Sequence, residues 1–366
     1  MIFLYKIFIL LNIKMTEKNN YALLIGINYI GTSSQLNGCQ NDVLKMKEII
    51  KTHYNFKDEN IAILIDKQGF IQPTSSNIIS QFNSLYLKSK NNQINEIYIH
   101  YSGHGTNIID KNGDETDGKD ECIVPLDYIK TGFITDDLIY SFLSKISSVK
   151  KIIWIFDSCN SASCSDLPYS YTLNNSNQII KQNLSKRKQI ANNKNIFVLS
   201  GCLDAKVSYD VRESDGTPCG LLSYNLRKTL EQYGYTCTIS QLLINIKKEF
   251  GYTDQTPVLS VNSNDYGINT IIFEKPTQTQ QIQQSTEPTK PTEPTKPTKP
   301  IKISSNIINE INNNNNQIKT LYSQFNSFNK ICKNMTQEQV NLNINNFIGQ
   351  IENIKLNLDK LSKNKI

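Results

Sequence analysis

Strand-length apolar runs alternate with helix-periodic segments through most of this chain, and this alternation constrains its fold more than any other feature. The runs predicted to be strands are YALLIGIN (21–28), ENIAILI (59–65), EIYIHYS (96–102), KKIIWIFD (150–157) and NIFVLSGC (195–202). The spacing of apolar residues predicts helices over 39–53, 75–88, 135–146, 219–232 and 238–250. A last strand is predicted over 269–274.

These strands are hydrophobic almost without interruption, which is typical of a mostly parallel sheet that helices cover on both faces. The sequence therefore predicts an α/β fold, an α/β/α sandwich with a mostly parallel central sheet. Functional sites in such folds lie where loops leave the carboxyl ends of the strands. His104 follows the third predicted strand and Cys159 follows the fourth, so we expect both side chains at that edge.

Composition divides the chain into four predicted segments. They are an apolar leader (1–18), a globular domain (19–275), a Pro/Thr/Lys-rich linker (276–303) and a helical tail (304–366). Residues 1–13 are too few to span a bilayer comfortably, so no stable membrane insertion is expected. Two interpretations of the leader stay open: translation that starts at Met15, or a secretory signal or anchor without a small-residue cleavage site.

Apolar residues in the tail follow alternating three-four spacing from Ile344 to Leu361, through roughly three heptads, which predicts a short coiled-coil helix. A second helix is predicted around Ile318 to Phe328. Two roles remain open for 304–366. The helices pack on themselves or on the domain, or they mediate self-association or the binding of a coiled-coil partner.

The charged and sulfur-containing residues limit the function classes. The net charge is +6, but no basic stripe with interleaved aromatics occurs, so nucleic acid is not the expected partner. None of the eight cysteines forms a CxxC pair, and no Cys/His cluster has zinc-finger spacing. Free thiols in a reducing compartment, the cytoplasm, are therefore predicted.

His104 and Cys159 together predict nucleophilic catalysis. A cysteine nucleophile needs a thiolate and a nearby base that later acts as an acid. His104 lies between Gly103 and Gly105, which we expect to allow a tight turn and the close approach of a substrate backbone. Each residue alone is commonly structural, but caspase-type enzymes place a histidine about 50 residues upstream of the cysteine, a separation similar to the one here.

Several motifs in this order resemble those of the type I metacaspases. The matching segments are ALLIGINYIGT, LNGCQNDV, YIHYSGHGT, DGKDECIVPLDY, IIWIFDSC, DLPY and LSGCLDAKVSYD. The resemblance covers residues 21–262, nearly the whole predicted domain. The resemblance implies a caspase-like fold, a His104–Cys159 dyad, and Ca²⁺-stimulated cleavage of protein or peptide substrates after Arg or Lys.

The resemblance also implies where substrate binds. Cys39, Asp42, Ser102 and Asp157 would line the S1 pocket. A pocket that selects a cation needs buried acceptors, ideally a carboxylate. As a hypothesis, the backbone N–H groups of Gly105 and Cys159 hold the oxyanion of the tetrahedral intermediate.

Calcium ligands are implied in the same way, at Asp120, Asp136, Asp137 and Asp166. The acidic run DKNGDETDGKDE (110–121) does not have EF-hand spacing, and composition alone favours a solvated loop there. Only the resemblance makes this region a predicted Ca²⁺ site.

The chain departs from the family pattern after the nucleophile, where it has DSCNSAS and the family has DSCHSGS. Asn160 and Ala162 replace the family's histidine and glycine, and Ala162 is the change expected to affect the oxyanion site. The Pro-rich N-terminal region of type I members is missing. The Asn-rich segment 170–194 is predicted to be a long exposed loop with self-cleavage sites at Lys181, Lys186, Arg187 and Lys188.

Other functions are also compatible with the sequence. The main alternative is a weakly active or inactive scaffold that binds partners through its C-terminal helices. A legumain-like protease is a further alternative, but the segments GCQND and DGKDECIVPLDY argue against it. A cysteine hydrolase outside proteolysis is the last, and fold alone does not exclude it.

Overall fold

The computed structural model describes residues 18–91, 93–110, 118–146, 149–158, 165–174, 176–184, 189–191, 195–201, 210–250 and 255–276. Most of the leader, almost all of the linker and the whole tail lie outside these residues. So do Cys159, Asn160, Ala162 and the 186–188 cluster. The chain separates into two compact units, 1–286 and 287–366, and only the first contains described residues.

An eight-stranded sheet forms the centre of the domain, in the order β2-β1-β3-β7-β10-β14-β8-β9. Its strands are β1 (Asn19–Gly26), β2 (Ile61–Ile65), β3 (Ile94–Ser102), β7 (Lys151–Asp157), β8 (Tyr169–Leu173), β9 (Ile179–Asn183), β10 (Ile196–Ser200) and β14 (Val258–Val261). From β2 to β10 the neighbouring strands run parallel, whereas β14, β8 and β9 pair antiparallel. The predicted α/β fold with a mostly parallel sheet is confirmed.

Helices cover both faces of this sheet. They are α1 (Cys39–Tyr54), α2 (Ser75–Lys90), α3 (Tyr128–Thr131), α4 (Asp136–Lys145), α5 (Leu221–Gln232) and α6 (Ile239–Phe250). Smaller sheets contain β4 (Gly105–Ile109) with β5 (Lys119–Ile123) and β6 (Ile134–Thr135), β11 (Asp210–Arg212) with β12 (Pro218–Gly220), and β13 (Cys237–Thr238) with β15 (Ile271–Phe273).

The apolar strands separate two hydrophobic cores, because successive side chains of a strand point to opposite faces. Leu24 of β1 packs with residues of α1, α5 and α6, whereas Leu23 packs with residues of α2 and α4. Trp154 of β7 lies in the second core and stacks on Phe156, with ring centroids 4.9 Å apart. This burial on both faces explains why the strands are hydrophobic without a break.

The predicted loop over 170–194 was wrong for residues 170–183. Instead of one exposed loop, the chain forms the hairpin β8–β9, which extends the central sheet by pairing β8 with β14. The sequence of β8, YSYTL, mixes polar and apolar residues, and β9, IIKQN, is mostly exposed at the sheet edge. Antiparallel edge strands do not need the continuous hydrophobic pattern that identified the parallel strands.

The strand predicted over 269–274 is present as β15, but it pairs with β13 outside the main sheet. The main sheet takes β14 instead, a four-residue strand that the sequence analysis missed. In the described part of the chain, no helix combines the length and apolarity needed to cross a membrane.

Candidate active site

The register of β3 against β7 fixes the centre of the site. Ser102 is the pairing partner of Asp157 at the carboxyl ends of these strands. Just beyond that pair, the Gly103 N–H donates to the Asp157 carbonyl oxygen at 3.3 Å. His104 and Cys159 follow Ser102 and Asp157 at equal distance along the sequence. Although Cys159 lies outside the described residues, its strand end is bound directly to the segment that carries His104.

His104 is oriented by the loop that follows β1. Its Nε2 lies 2.6 Å from the Ser34 carbonyl oxygen. A carbonyl only accepts, so Nε2 carries the hydrogen and donates. In a neutral imidazole the remaining nitrogen, Nδ1, then has the lone pair and is the atom available as a base.

Two buried carboxyl groups meet next to this centre. Asp42 of α1 is fully buried and accepts from the Ser102 hydroxyl at 2.8 Å and from the Gly220 N–H at 3.0 Å. The Asp157 carboxylate accepts from the Ser223 N–H at 2.8 Å. The structure thus brings together Asp42, Ser102 and Asp157, which the family resemblance implies to line one pocket.

The environment of Asp42 disfavours its charged form. Burial, and next to it the charge of Asp157, raises the pKa of Asp42 well above its usual value. The hydrogen bonds from Ser102 and Gly220, and the charge of Arg227, oppose this rise. A cation that enters between the two carboxylates would stabilise both charges.

Gly220, the last residue of β12, is required where it passes the two carboxylates. A Cβ atom there would lie 2.2 Å from Asp157 Oδ2 and 2.9 Å from Asp42 Oδ2. A larger residue would therefore displace a carboxylate. The N-terminus of α5 follows immediately and supplies the Ser223 N–H, which places the positive end of a helix dipole beside these acids.

Cys39, the fourth predicted pocket residue, is buried as the first residue of α1. The preceding Gly38 runs against β12, since a Cβ on it would lie 2.6 Å from the Cys219 Cα. Cys39 therefore lies at the junction of α1 with β12, the strand that closes the carboxylate pair.

Gly105, predicted to help hold the oxyanion, is the first residue of β4 and pairs with Ile123 of β5. The other predicted donor, the Cys159 N–H, lies outside the described residues. The oxyanion site therefore stays a prediction.

The predicted calcium ligands lie in three places around α4. Asp120 belongs to β5, Asp136 and Asp137 begin α4, and Asp166 precedes β8. Asp136 is buried and accepts from the N–H groups of Glu121 and Asp137, both at 2.8 Å. Burial raises the pKa of Asp136 to about 6, and the charge of Asp120 adds to that rise.

As arranged here, these four aspartates do not form a complete ion site. Among the described residues, no group of three or more His, Cys, Asp or Glu side chains is placed to hold a metal ion. Asp137 is exposed, while Asp120, Asp136 and Asp166 are buried. The buried Asp120–Asp136 pair matches a cation in charge but not in ligand number.

Sequence comparisons identify the domain that contains this site. A family model described as "Metacaspase, peptidase C14 domain" matches residues 20–168, which include both the β3 and the β7 strand ends. Metacaspase-1 of Plasmodium falciparum is 35% identical over 265 residues, covering 68% of this chain and 41% of the relative. Metacaspase-1B of Neurospora crassa is 42% identical over 154 residues, covering 41% of this chain and 36% of the relative. The domain is a metacaspase domain.

This chain spans 41% and 36% of the lengths of those two relatives. Among solved structures, caspase-1 from Spodoptera frugiperda is 12% identical, with a TM-score of 0.41, and the match covers 68% of this chain and 88% of that chain. The family assignment rests on the sequence matches.

Lys181 of the metacaspase domain does not lie in a loop, contrary to the prediction. It belongs to β9, its Nζ donates to the Asn264 carbonyl oxygen at 2.8 Å, and it lies 5.2 Å from the Tyr171 ring centroid. A peptide bond within a paired strand is a poor protease substrate, since cleavage needs an exposed, extended backbone. The other three candidate cleavage sites, at 186–188, lie outside the described residues.

Sequence reasoning missed three residues of the site. Ser34 acts through its backbone carbonyl, so its side chain gives no signal. Gly220 and Ser223 come from a distant part of the chain, and no motif there marks them. The one sequence feature that could have indicated this segment is Gly220, a glycine directly before the amphipathic helix α5.

His100 connects the core of the metacaspase domain to the carboxylate pair. Its side chain is fully buried, with Nδ1 3.0 Å from the Tyr98 hydroxyl and Nε2 2.9 Å from the Ser223 hydroxyl. The backbone N–H of Ser223 in turn holds Asp157. Burial, helped by the charge of Arg227, lowers the pKa of His100 to about 3.

His100 is therefore predicted to make the fold sensitive to acid. Between pH 6.5 and about 3 the unfolded chain protonates this residue and the folded chain does not, so stability falls as pH falls through this window. His100→Gln removes this component. The difference in the free energy of unfolding between wild type and His100→Gln should be constant above pH 7. It should shrink as the pH falls below 6.5, by up to about 1.4 kcal/mol per pH unit.

Urea unfolding followed by circular dichroism at several pH values measures this gap. His53→Gln is the control, because His53 is only half-buried and its dependence should be weaker. A gap that does not change between pH 7 and 4 would contradict the assignment of a neutral, buried His100.

Proposed function

We propose that this protein is a cysteine endopeptidase that cleaves protein or peptide chains after Arg or Lys through the His104–Cys159 dyad. The observation that carries the proposal is the pairing of Ser102 with Asp157. This pairing supports the proposal because His104 follows Ser102, and Cys159 follows Asp157, at the same separation along the sequence. The membership of the domain in the metacaspase family supports this assignment.

In the proposed reaction, the Cys159 Sγ gives its proton to His104 Nδ1 and attacks the carbonyl carbon of the substrate residue. The oxyanion is held by backbone N–H groups, for which Gly105 and Cys159 are the candidates. When the tetrahedral intermediate collapses, His104 returns its proton to the leaving amine and a thioester remains. Water, deprotonated by His104, then attacks the thioester, releases the acid product and regenerates the thiol.

Selection of a basic residue rests on the buried carboxyl pair. Asp42 and Asp157 lie close together, and burial of two like charges is costly without a counter-charge. A substrate guanidinium or ammonium group supplies that charge. An Asp side chain in the same place would add a third negative charge, so cleavage after Asp is not expected.

The dyad predicts that fluorogenic peptides ending in Arg or Lys are hydrolysed by wild type and not by Cys159→Ala, because the alanine lacks a nucleophile. A peptide ending in Asp should remain intact. Fluorescence release, measured with and without millimolar Ca²⁺, gives kcat/KM for each peptide.

Cys164→Ala is the matched control, since it removes a neighbouring thiol outside the proposed dyad. If the folded, calcium-loaded wild type cleaves none of the peptides, the scaffold function becomes the better explanation. Reversion of Ala162 to Gly then tests whether that substitution caused the loss of activity.

The pocket predicts that Asp42→Asn lowers kcat/KM for Arg and Lys peptides by about tenfold to a thousandfold, because one buried partner of the substrate cation is lost. Asp215→Asn is the control, since Asp215 is an exposed acid on the β11–β12 turn. If Asp42→Asn and wild type hydrolyse both peptides with equal kcat/KM, Asp42 does not bind the basic side chain of the substrate.

We propose further that Ca²⁺ stimulates the enzyme through the acidic residues around α4. The support is electrostatic. Asp120 and Asp136 are buried, and the charge of Asp120 contributes to the raised pKa of Asp136. Asp166 lies close enough to Tyr140 of α4 to raise the pKa of that phenol, although burial is the larger cause. The bound ion would supply charge neutralisation and loop order.

Calcium binding is predicted to weaken about tenfold or more in Asp136→Asn, because a ligand charge is removed from a site that prefers carboxylates. Isothermal titration calorimetry measures this loss without relying on activity. Glu231→Gln is the control, an exposed acid near the end of α5. Equal affinities of wild type and Asp136→Asn would place the calcium site elsewhere.

Self-processing is proposed at Lys186, Arg187 and Lys188 and not at Lys181, whose strand pairing and ring contacts protect it. Mass spectrometry of the same calcium-loaded samples locates any cut, and Cys159→Ala should remain intact.

The proposed location is the cytoplasm, with the tail 304–366 as the candidate partner-binding segment. Among the described residues, Cys122, Cys219 and Cys237 are buried thiols that form no disulfide, which supports a reducing compartment.

A further inference from the structure

Two buried phenols meet directly behind His104. Tyr29 follows β1 and Tyr101 lies near the end of β3, with relative exposures of 2% and 0%. Their hydroxyl oxygens are 3.2 Å apart. Buried tyrosine hydroxyls need hydrogen-bond partners, and these two find them in the backbone of His104 and Val124.

The hydrogen bonds form a reciprocal pattern. Tyr29 Oη accepts from the His104 N–H at 3.1 Å and donates to the Val124 carbonyl oxygen at 2.6 Å. Tyr101 Oη accepts from the Val124 N–H at 3.2 Å and donates to the His104 carbonyl oxygen at 2.6 Å. Both backbone polar groups of His104 are therefore held by rigid aromatic side chains.

Gly103 allows the phenols this close to the chain. A Cβ on Gly103 would lie 2.7 Å from Tyr101 Oη and 3.2 Å from Tyr29 Oη. The sequence analysis attributed this glycine to a tight turn and to the approach of substrate. The structure gives a different reason, the approach of two side chains of the protein itself.

The loop that carries Tyr29 also holds the imidazole. The Tyr29 ring lies against the His104 ring, with centroids 4.7 Å apart, and Ser34 of the same loop accepts from His104 Nε2. Tyr29 adopts a left-handed φ of 52°, a conformation that tyrosine avoids unless its surroundings enforce it. Asp66, after β2, accepts from the N–H groups on either side of it, those of Asn28 and Ile30.

We propose that Tyr29 and Tyr101 are positioning residues that set the location of His104 relative to Cys159, with Asp66 as the anchor of the Tyr29 loop. The proposal rests on the dyad function argued above. The hydroxyls of both tyrosines bond the backbone N–H and carbonyl oxygen of His104, which fixes the segment that carries the imidazole. Displacement of a reacting group by about 1 Å can cost about a hundredfold in rate, so fixing His104 from behind affects catalysis directly.

Burial keeps the Tyr29 hydroxyl protonated, so that it acts as a hydrogen-bond donor and not as an acid or base. It raises the pKa of Tyr29 well above the usual value, with Tyr101 as the next cause, so this hydroxyl keeps its hydrogen.

The test compares Tyr29→Phe and Tyr101→Phe with wild type and His104→Ala in the full chain. Each phenylalanine keeps the ring and removes the hydroxyl that holds His104. We expect kcat for an Arg peptide to fall about tenfold to a hundredfold in each variant, with KM within about twofold, because substrate contacts are unchanged.

A second readout does not need turnover. The rate at which iodoacetamide alkylates Cys159, followed by mass spectrometry across pH, reports the thiolate that a nearby imidazolium stabilises. The profiles of Tyr29→Phe and Tyr101→Phe should move from the wild-type profile toward that of His104→Ala. Tyr54→Phe is the matched control, since it loses a buried phenol that bonds the Tyr235 carbonyl, away from the site, and should match wild type.

Folded phenylalanine variants with wild-type kcat and wild-type alkylation profiles would overturn the positioning role. An equal loss of kcat in Tyr54→Phe would also overturn it, because the effect would then follow general stability. If wild type and His104→Ala share one alkylation profile, the dyad itself is absent and the proposed function fails first. If either phenylalanine variant fails to fold, Asp66→Asn tests the positioning role instead. We expect its kcat to fall about threefold to tenfold, and its Cys159 alkylation profile to move toward that of His104→Ala.

Discussion

The parallel pairing of β3 with β7 is the constraint on which the rest of the site depends. Because Ser102 lies beside Asp157, the two strands end at the same level of the sheet. The bond from the Gly103 N–H to the Asp157 carbonyl oxygen continues the ladder past the strand ends. A shift of this register by one residue would turn every side chain of β7 to the opposite face. Because β7 is apolar on both faces, the packing of Trp154 against the rings of Phe82 and Phe142, and not the hydrophobic pattern, fixes the alignment.

Burial of acids beside that edge has a cost, which the fold offsets with directed N–H groups. Gly220 and the first turn of α5 come close to the carboxylates of Asp42 and Asp157, and Gly220 does so only because it lacks a side chain. His100 supports the same arrangement from inside the core through the Ser223 hydroxyl. The site is thus pre-organised by strand ends, a helix N-terminus and a buried imidazole.

The parallel strands and the long helices were predictable from sequence, because burial on both faces leaves continuous apolar runs such as that of β7. The placement of His104 at a strand end followed from the same pattern. The hairpin β8–β9 and the strand β14 were not predictable, since edge and antiparallel strands mix polar residues into short segments. The role of Ser34 was not predictable, because it acts through a backbone carbonyl oxygen that every residue type has. The role of Tyr29 was not predictable, because its contacts join segments far apart in sequence.

The strand order has a mechanical consequence for the domain. β10 and β14, from the second half of the domain, lie between β7 and β8, from the first half. A backbone break between β9 and β10 would therefore not release either piece of the domain. The piece that begins at β10 contributes β10 and β14 to the middle of the sheet formed by the first piece. The halves would remain one particle held by strand pairing and by the shared core of α1 and α5. The proposed pocket would still contain carboxylates from one polypeptide and the enclosing Gly220 from the other.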